Sequence, residues 1–156
     1  MKNLKILILM LLVGGMGSWQ LIGQTEVSGK SYFFPNPSTL METANNTQVI
    51  TVSYSGFSET DDPNSPFNFS SIECQGKILE AQDKSSYGCN LCHVTDKDGD
   101  TFMYFASLGD EGQTQADLIG GTGKFKNISG SGSSENLGAS SDGKFVHRWT
   151  MKYSLE

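Results

Sequence analysis

The segment Lys144 to Ser154, KFVHRWTMKYS, sets Phe145, His147, Trp149, Met151 and Tyr153 on one side of an extended chain and Val146, Arg148, Thr150, Lys152 and Ser154 on the other. A helix would scatter those five large residues around its circumference. The period of two calls for a strand with one face in a core and the other in water, and such a strand needs a sheet to join. Outside the N-terminal leader, no segment repeats apolar residues at helical spacing for three turns, while Gly and Ser punctuate the chain throughout. The fold class is therefore all-β.

Other strands follow from the same pattern. Thr47 to Ser55 alternates Ile50, Val52 and Tyr54 against Val49, Thr51 and Ser53. Glu59 to Phe67, with its acidic residues and two prolines, is expected to be a surface loop. Ser70 to Ala81 is expected to form one strand, or two with a kink at Gly76. Asn90 to Thr95 and Thr101 to Ser107 flank an Asp98-Gly99 turn, the strongest short hairpin signal. Thr101 to Ser107 is apolar on both faces, as in a strand packed between an interior and an outer layer or a partner, and a homo-oligomer is one such arrangement. Ser129 to Ser141 reads as loop and irregular strand, and the segment Gln24 to Gly56 is not distinctive.

The N-terminus begins Met1-Lys2-Asn3-Leu4-Lys5, runs through apolar Ile6 to Val13 and small residues at Gly14 to Ser18, and turns polar at Gln24. This is the pattern of a signal peptide covering 1-23, with cleavage after Gly17, Ser18 or Gly23, so a secreted or periplasmic location is expected. The apolar run is too short to span a bilayer, and no nearby cysteine could carry a lipid, so no membrane span is expected. The remaining 24-156 suits one domain. The chain holds 11 basic and 17 acidic residues; without Lys2 and Lys5 the balance is 9 against 17, a net charge of -8. Such a surface repels phosphate backbones, so no nucleic acid partner is expected.

Three cysteines, Cys74, Cys89 and Cys92, leave three arrangements open in an oxidising compartment: one disulfide with a spare thiol, two cysteines holding a cofactor, or an intermolecular bridge. Cys89-x-x-Cys92-His93 has the spacing that attaches c-type haem, with Met103, Met151 or His147 as nominal sixth ligands. Attachment needs both thiols on one side of a turn. In an extended strand, residues three apart point to opposite faces, which argues against haem. A redox CxxC pair wants a helix N-terminus, and no helix follows.

Asp96, Asp98 and Asp100 have the first three spacings of a calcium loop, but Thr101 and Ser107 stand where the loop wants Gly and Glu, so a solvated hairpin turn is expected. Gly120 to Lys124 resembles a phosphate loop without its spacing or its helix. No Ser-His-Asp order, paired carboxylate or His-rich cluster stands out, and no metal site is expected. His147, among aromatics, is read as a hydrogen-bonded core histidine.

The run Ile119 to Gly132, IGGTGKFKNISGSG, resembles the glycine signature of small secreted bacterial proteins related to the allene oxide cyclase and dirigent barrels. The order of Cys74, Cys92 and Asp96-x-Asp98-Gly99-Asp100 before it, and of Asp142-Gly143 opening the last strand after it, extends the likeness over roughly half of 24-156. The resemblance implies a single-domain antiparallel β-barrel, allene-oxide-cyclase-like or calycin-like. It implies a disulfide between Cys74 and Cys92 across neighbouring strands, with Cys89 left over. It makes Gly120, Gly121, Gly123 and Gly130 structural, with Phe125 plugging the interior. In such a barrel Phe145, His147, Trp149, Met151 and Tyr153 would line the cavity, whose occupant is expected to be a small apolar or amphipathic molecule with no cofactor. The alternatives are an isomerase or cyclase using His147, Tyr153 or a carboxylate as acid or base, and a haem c protein through Cys89, Cys92 and His93.

Overall fold

Alternation and turn chemistry produce nine strands among the described residues of the computed structural model, which cover 24-43, 47-81, 83, 85-108 and 113-155. They are β1 (Thr25–Pro35), β2 (Thr39–Glu42), β3 (Gln48–Thr60), β4 (Ser70–Glu80), β5 (Ser86–Thr95), β6 (Thr101–Leu108), β7 (Thr114–Gly121), β8 (Ser129–Ala139) and β9 (Phe145–Ser154). A 3-10 turn, Gly123–Phe125, lies between β7 and β8. Strands β3 to β9 pair antiparallel in chain order, β9 pairs with β1, and β1 returns to β3 from Gly29↔Thr60 to Pro35↔Tyr54. That last pairing closes an eight-stranded barrel. Short β2 takes over the β3 edge beyond β1, from Thr39↔Thr51 to Glu42↔Gln48. Closure leaves the eight strands without a free edge along their paired lengths. No helix among the described residues is long and apolar enough to cross a membrane; the leader expected over 1-23 lies outside them.

One end of the barrel is plugged. The β3–β4 loop, residues 61-69, is tied down by Asn68, whose Oδ1 accepts the Thr60 N–H at 3.0 Å while Nδ2 donates to the Pro63 carbonyl at 3.1 Å. Ser70 Oγ donates to the Phe67 carbonyl at 2.9 Å. These bonds turn Phe67 inward, where its ring meets Tyr153 at 4.7 Å, Phe102 at 5.2 Å and Phe125 at 5.6 Å between centroids. Val27, Ile72, Val94 and Ile128 complete the buried cluster.

Above the plug, Cys74 and Cys92 stand directly opposite each other on β4 and β5 with Cα atoms 4.1 Å apart, and they form a disulfide inside the barrel. Both are buried, whereas Cys89 is free and exposed.

Several boundaries differ from the sequence expectation. β3 runs on to Thr60, so the loop starts later than Glu59. Of the two forms open for Ser70 to Ala81, β4 takes the single strand, because Gly76 stays in register opposite Asn90. β8 bears out the irregular strand, with a register shift between Asn136 and Gly138, and runs unbroken to Ala139 where a loop was also expected. β1, in the segment without distinctive pattern, closes the barrel. The outward residues of β6, Met103 and Phe105, are 38% and 42% exposed.

Candidate functional site

The inward face of β9 shapes the interior through its neighbours. Across the β8–β9 ladder, Gly130, Gly132 and Ser134 oppose Tyr153, Met151 and Trp149. Across the β1–β9 ladder, Gly29 and Ser31 oppose Trp149 and His147. Small residues on both flanks give the large β9 side chains room to lie over them. A side chain at Gly130, whose φ is 147°, would run into the Lys152 carbonyl, and one at Gly29 would strike the Trp149 ring and the Glu59 carbonyl.

The interior above the plug holds two adjoining spaces. The inner one, of about 110 Å³, lies among Phe33, Phe102, Tyr104, Ala106, Trp149 and Met151. The outer one, of about 350 Å³, opens between Pro35, Ile78, Leu108, Asn136 and Phe145 at the end opposite the plug. Tyr54, Asn90, Thr114 and His147 line both, and so form the waist between them. Phe33 organises this level: its ring contacts Tyr54 at 5.1 Å, Phe145 at 4.9 Å and His147 at 5.6 Å.

The polar groups at the waist are uncharged. Burial pushes the Tyr54 phenol up to about 12 and raises Tyr104 further, so both keep their protons. Burial also lowers His147, which favours the neutral imidazole; its Nδ1 lies 3.3 Å from Ser134 Oγ. Tyr104 Oη sits 3.9 Å from Cys74 Sγ. The Asn90 amide oxygen is buried without a hydrogen-bond partner, in space that exists because Gly76 opposite has no side chain. Among the described residues no Asp, Glu, Lys or Arg lines either space.

Of the residues read from sequence as cavity-lining, His147, Trp149 and Met151 line the inner space and Phe145 and His147 the outer one. Tyr153 lines neither: it lies at the far end of β9, packed on Phe67 in the plug. Sequence reading missed Phe33, Asn90 and Tyr104. Tyr54 stands on the strand face of Ile50 and Val52, an alternation that left open which face turns inward, and Asn90 carries no such signal.

The haem alternative is corrected by strand geometry. Cys89 and His93 lie on the outer surface of β5 while Cys92 faces inward with its sulfur bonded to Cys74, so the two thiols cannot meet one haem edge. The acidic triplet has an unexpected occupant. Lys124, from the glycine signature, places Nζ 2.5 Å from Asp96 Oδ2, 2.7 Å from Asp98 Oδ2 and 3.8 Å from Asp100 Oδ2. The lysine that resembled a phosphate loop is thus paired with the carboxylates that resembled a calcium loop, and offsets one of their three charges. In the signature, Gly121 and Gly123 stand where side chains would overlap the Thr101 carbonyl and the Asp100 carboxylate, Gly120 has a φ of 132°, and Phe125 is fully buried. No cluster of three His, Cys, Asp or Glu suited to a metal occurs among the described residues.

No family model matches the sequence, and no curated protein matches it. Two solved structures of pterocarpan synthase dirigent proteins do resemble the fold. GePTS1 aligns with a TM-score of 0.54 at 14% identity over 88% of this chain and 89% of its own. PsPTS1 aligns with a TM-score of 0.53 at 14% identity over 85% of this chain and 97% of its own.

Proposed function

On the premise of a dirigent-like barrel with an open interior, we propose that this protein binds a small apolar or amphipathic molecule inside the barrel, outside the cytoplasm. The observation that carries the reading is the pair of adjoining spaces, apolar-walled, closed by the Phe67 plug at one end and open at the other. A barrel that only needed a core could fill this volume with side chains. The sealed disulfide and the leader-like N-terminus support an extracytoplasmic setting.

The test is a titration with a neutral apolar fluorophore, N-phenyl-1-naphthylamine, followed by its own emission and by that of Trp149. The other tryptophan, Trp19, is replaced by phenylalanine for this measurement, so that Trp149 alone reports. Saturable one-to-one binding that changes Trp149 emission is expected. A linear, unsaturable response that leaves Trp149 untouched would refute interior binding.

A second reading, catalysis of an isomerase or cyclase type, is favoured by one observation: His147 reaches both spaces as a neutral imidazole beside Ser134. The structural neighbours are synthases by name, which suits this reading without carrying it. Conversion of a bound compound that stops in His147→Gln, with affinity kept, would support it. Conversion unchanged by that substitution would remove His147 from the role.

A further inference from the structure

We infer that the interior selects an electrically neutral ligand whose hydroxyl sits at the waist and donates to the Asn90 amide oxygen, and that it rejects carboxylates and ammonium compounds. The inference rests on the interior-binding reading above and adds the chemistry of the occupant.

Three observations converge on it. Charged residues make up 18% of the chain, yet among the described residues none lines either space. An ionic ligand would leave its hydration shell with no opposite charge to replace it. Burial keeps the Tyr54 and Tyr104 phenols and the His147 imidazole in their neutral forms, so the titratable groups of the lining supply no compensating charge either.

The second observation is Asn90 itself. Its amide oxygen is buried and unpartnered, and no other described side chain hydrogen-bonds the amide. A polar group left unmatched costs stability that an apolar side chain of similar size would not. Asn90 has no structural partner to justify that cost, but it lines both spaces, where a ligand can reach its amide by rotation about the terminal torsion.

The third observation is that the neighbouring strand is shaped around this amide. Gly76 faces Asn90 across the β4–β5 ladder, and a methyl group there would overlap the Asn90 carboxamide. The apolar part of the ligand then occupies the inner space against Phe33, Phe102 and Trp149, with its oxygen at the level of Asn90, Tyr54 and His147.

The experiment compares 1-(2-naphthyl)ethanol, its hydrocarbon isostere 2-isopropylnaphthalene, and 2-naphthoate, each titrated calorimetrically into the wild-type protein, Asn90→Leu and Asn90→Ala at pH 7.5, with melting curves for all three proteins. The wild type is expected to bind the alcohol about tenfold more tightly than the hydrocarbon and the carboxylate more weakly than either. Asn90→Leu is expected to keep its hydrocarbon affinity and lose the alcohol preference, with a melting temperature no lower than the wild type. Asn90→Ala repeats the loss of preference without the bulk of leucine. Equal affinity for alcohol and hydrocarbon in the wild type, a preference that survives both substitutions, or tightest binding of 2-naphthoate would overturn the inference while interior binding stands. Failure of all three compounds to bind would instead remove the interior-binding reading beneath it.

Discussion

At Asp96 the side chain is 1% exposed and still charged. Burial opposes that charge, but the Lys124 ammonium and the N–H groups of Asp98 and Asp100, each 2.9 Å from Oδ1, together hold the carboxyl below its ordinary range. Asp96→Ala removes the acceptor of both N–H groups at the β5–β6 turn, and a loss of about 2 kcal/mol in urea unfolding at pH 7 is expected. The native carboxyl titrates below its unfolded value of about 3.9, so this contribution is full above that pH and disappears as the pH falls through the native value. The stability of Asp96→Ala should therefore depend less on pH below about 4 than that of the wild type. His147 runs the same way by a different cause. Burial lowers its native pKa, so between the native value and the unfolded value of about 6.5 the unfolded chain holds more protons. Stability rises with pH through that window and is lost as the pH falls below it. Melting temperatures measured from pH 5 to 8 should show this slope in the wild type and a flatter one in His147→Gln; equal slopes would mean that the imidazole is not desolvated.

At the scale of strands, β9 is readable from sequence because its inward residues are large and its outward ones polar. Its partners β1 and β8 carry the complement in Gly and Ser, so period two leaves no hydrophobic contrast to read there. The complement becomes visible only once the register sets Gly130 beside Tyr153 and Gly29 beside Trp149. For the same reason the sequence supplied the β9 share of the site but not Phe33, Asn90 or Tyr104, whose inward placement depends on strands paired over long separations. Within β5, alternation alone assigned Cys89 and Cys92 to opposite faces; the partner of Cys92 came from resemblance and is the disulfide seen. Removing it with Cys74→Ala and Cys92→Ala is expected to cost about 3 kcal/mol, as for a cross-link of this loop length. Alkylation with mass analysis on denatured protein should find one thiol before reduction, at Cys89, and three after it. Two or more before reduction would contradict the internal pairing.

Across the whole molecule, charge and volume are segregated. Among the described residues the acidic side chains stay outside the two spaces, and the apolar residues on the barrel axis divide into a packed plug and an unfilled upper half. Packing density should therefore respond oppositely in the two halves. Phe125 is fully buried between Phe67 and Phe102, so Phe125→Ala opens a cavity that its neighbours cannot close, and a loss of about 4 kcal/mol is expected. Ala106 is just as inaccessible to solvent from outside but faces the inner space. In a filled core Ala106→Leu would force strained rotamers and cost about 1 to 3 kcal/mol. Here the added carbons have room, so Ala106→Leu is expected to change stability by less than about 1 kcal/mol while weakening N-phenyl-1-naphthylamine binding at least tenfold. Chemical denaturation and the fluorophore titration measure the two quantities on the same samples. A destabilised Ala106→Leu would mean that the inner space collapses in solution, and the barrel would then be packed throughout like its plug.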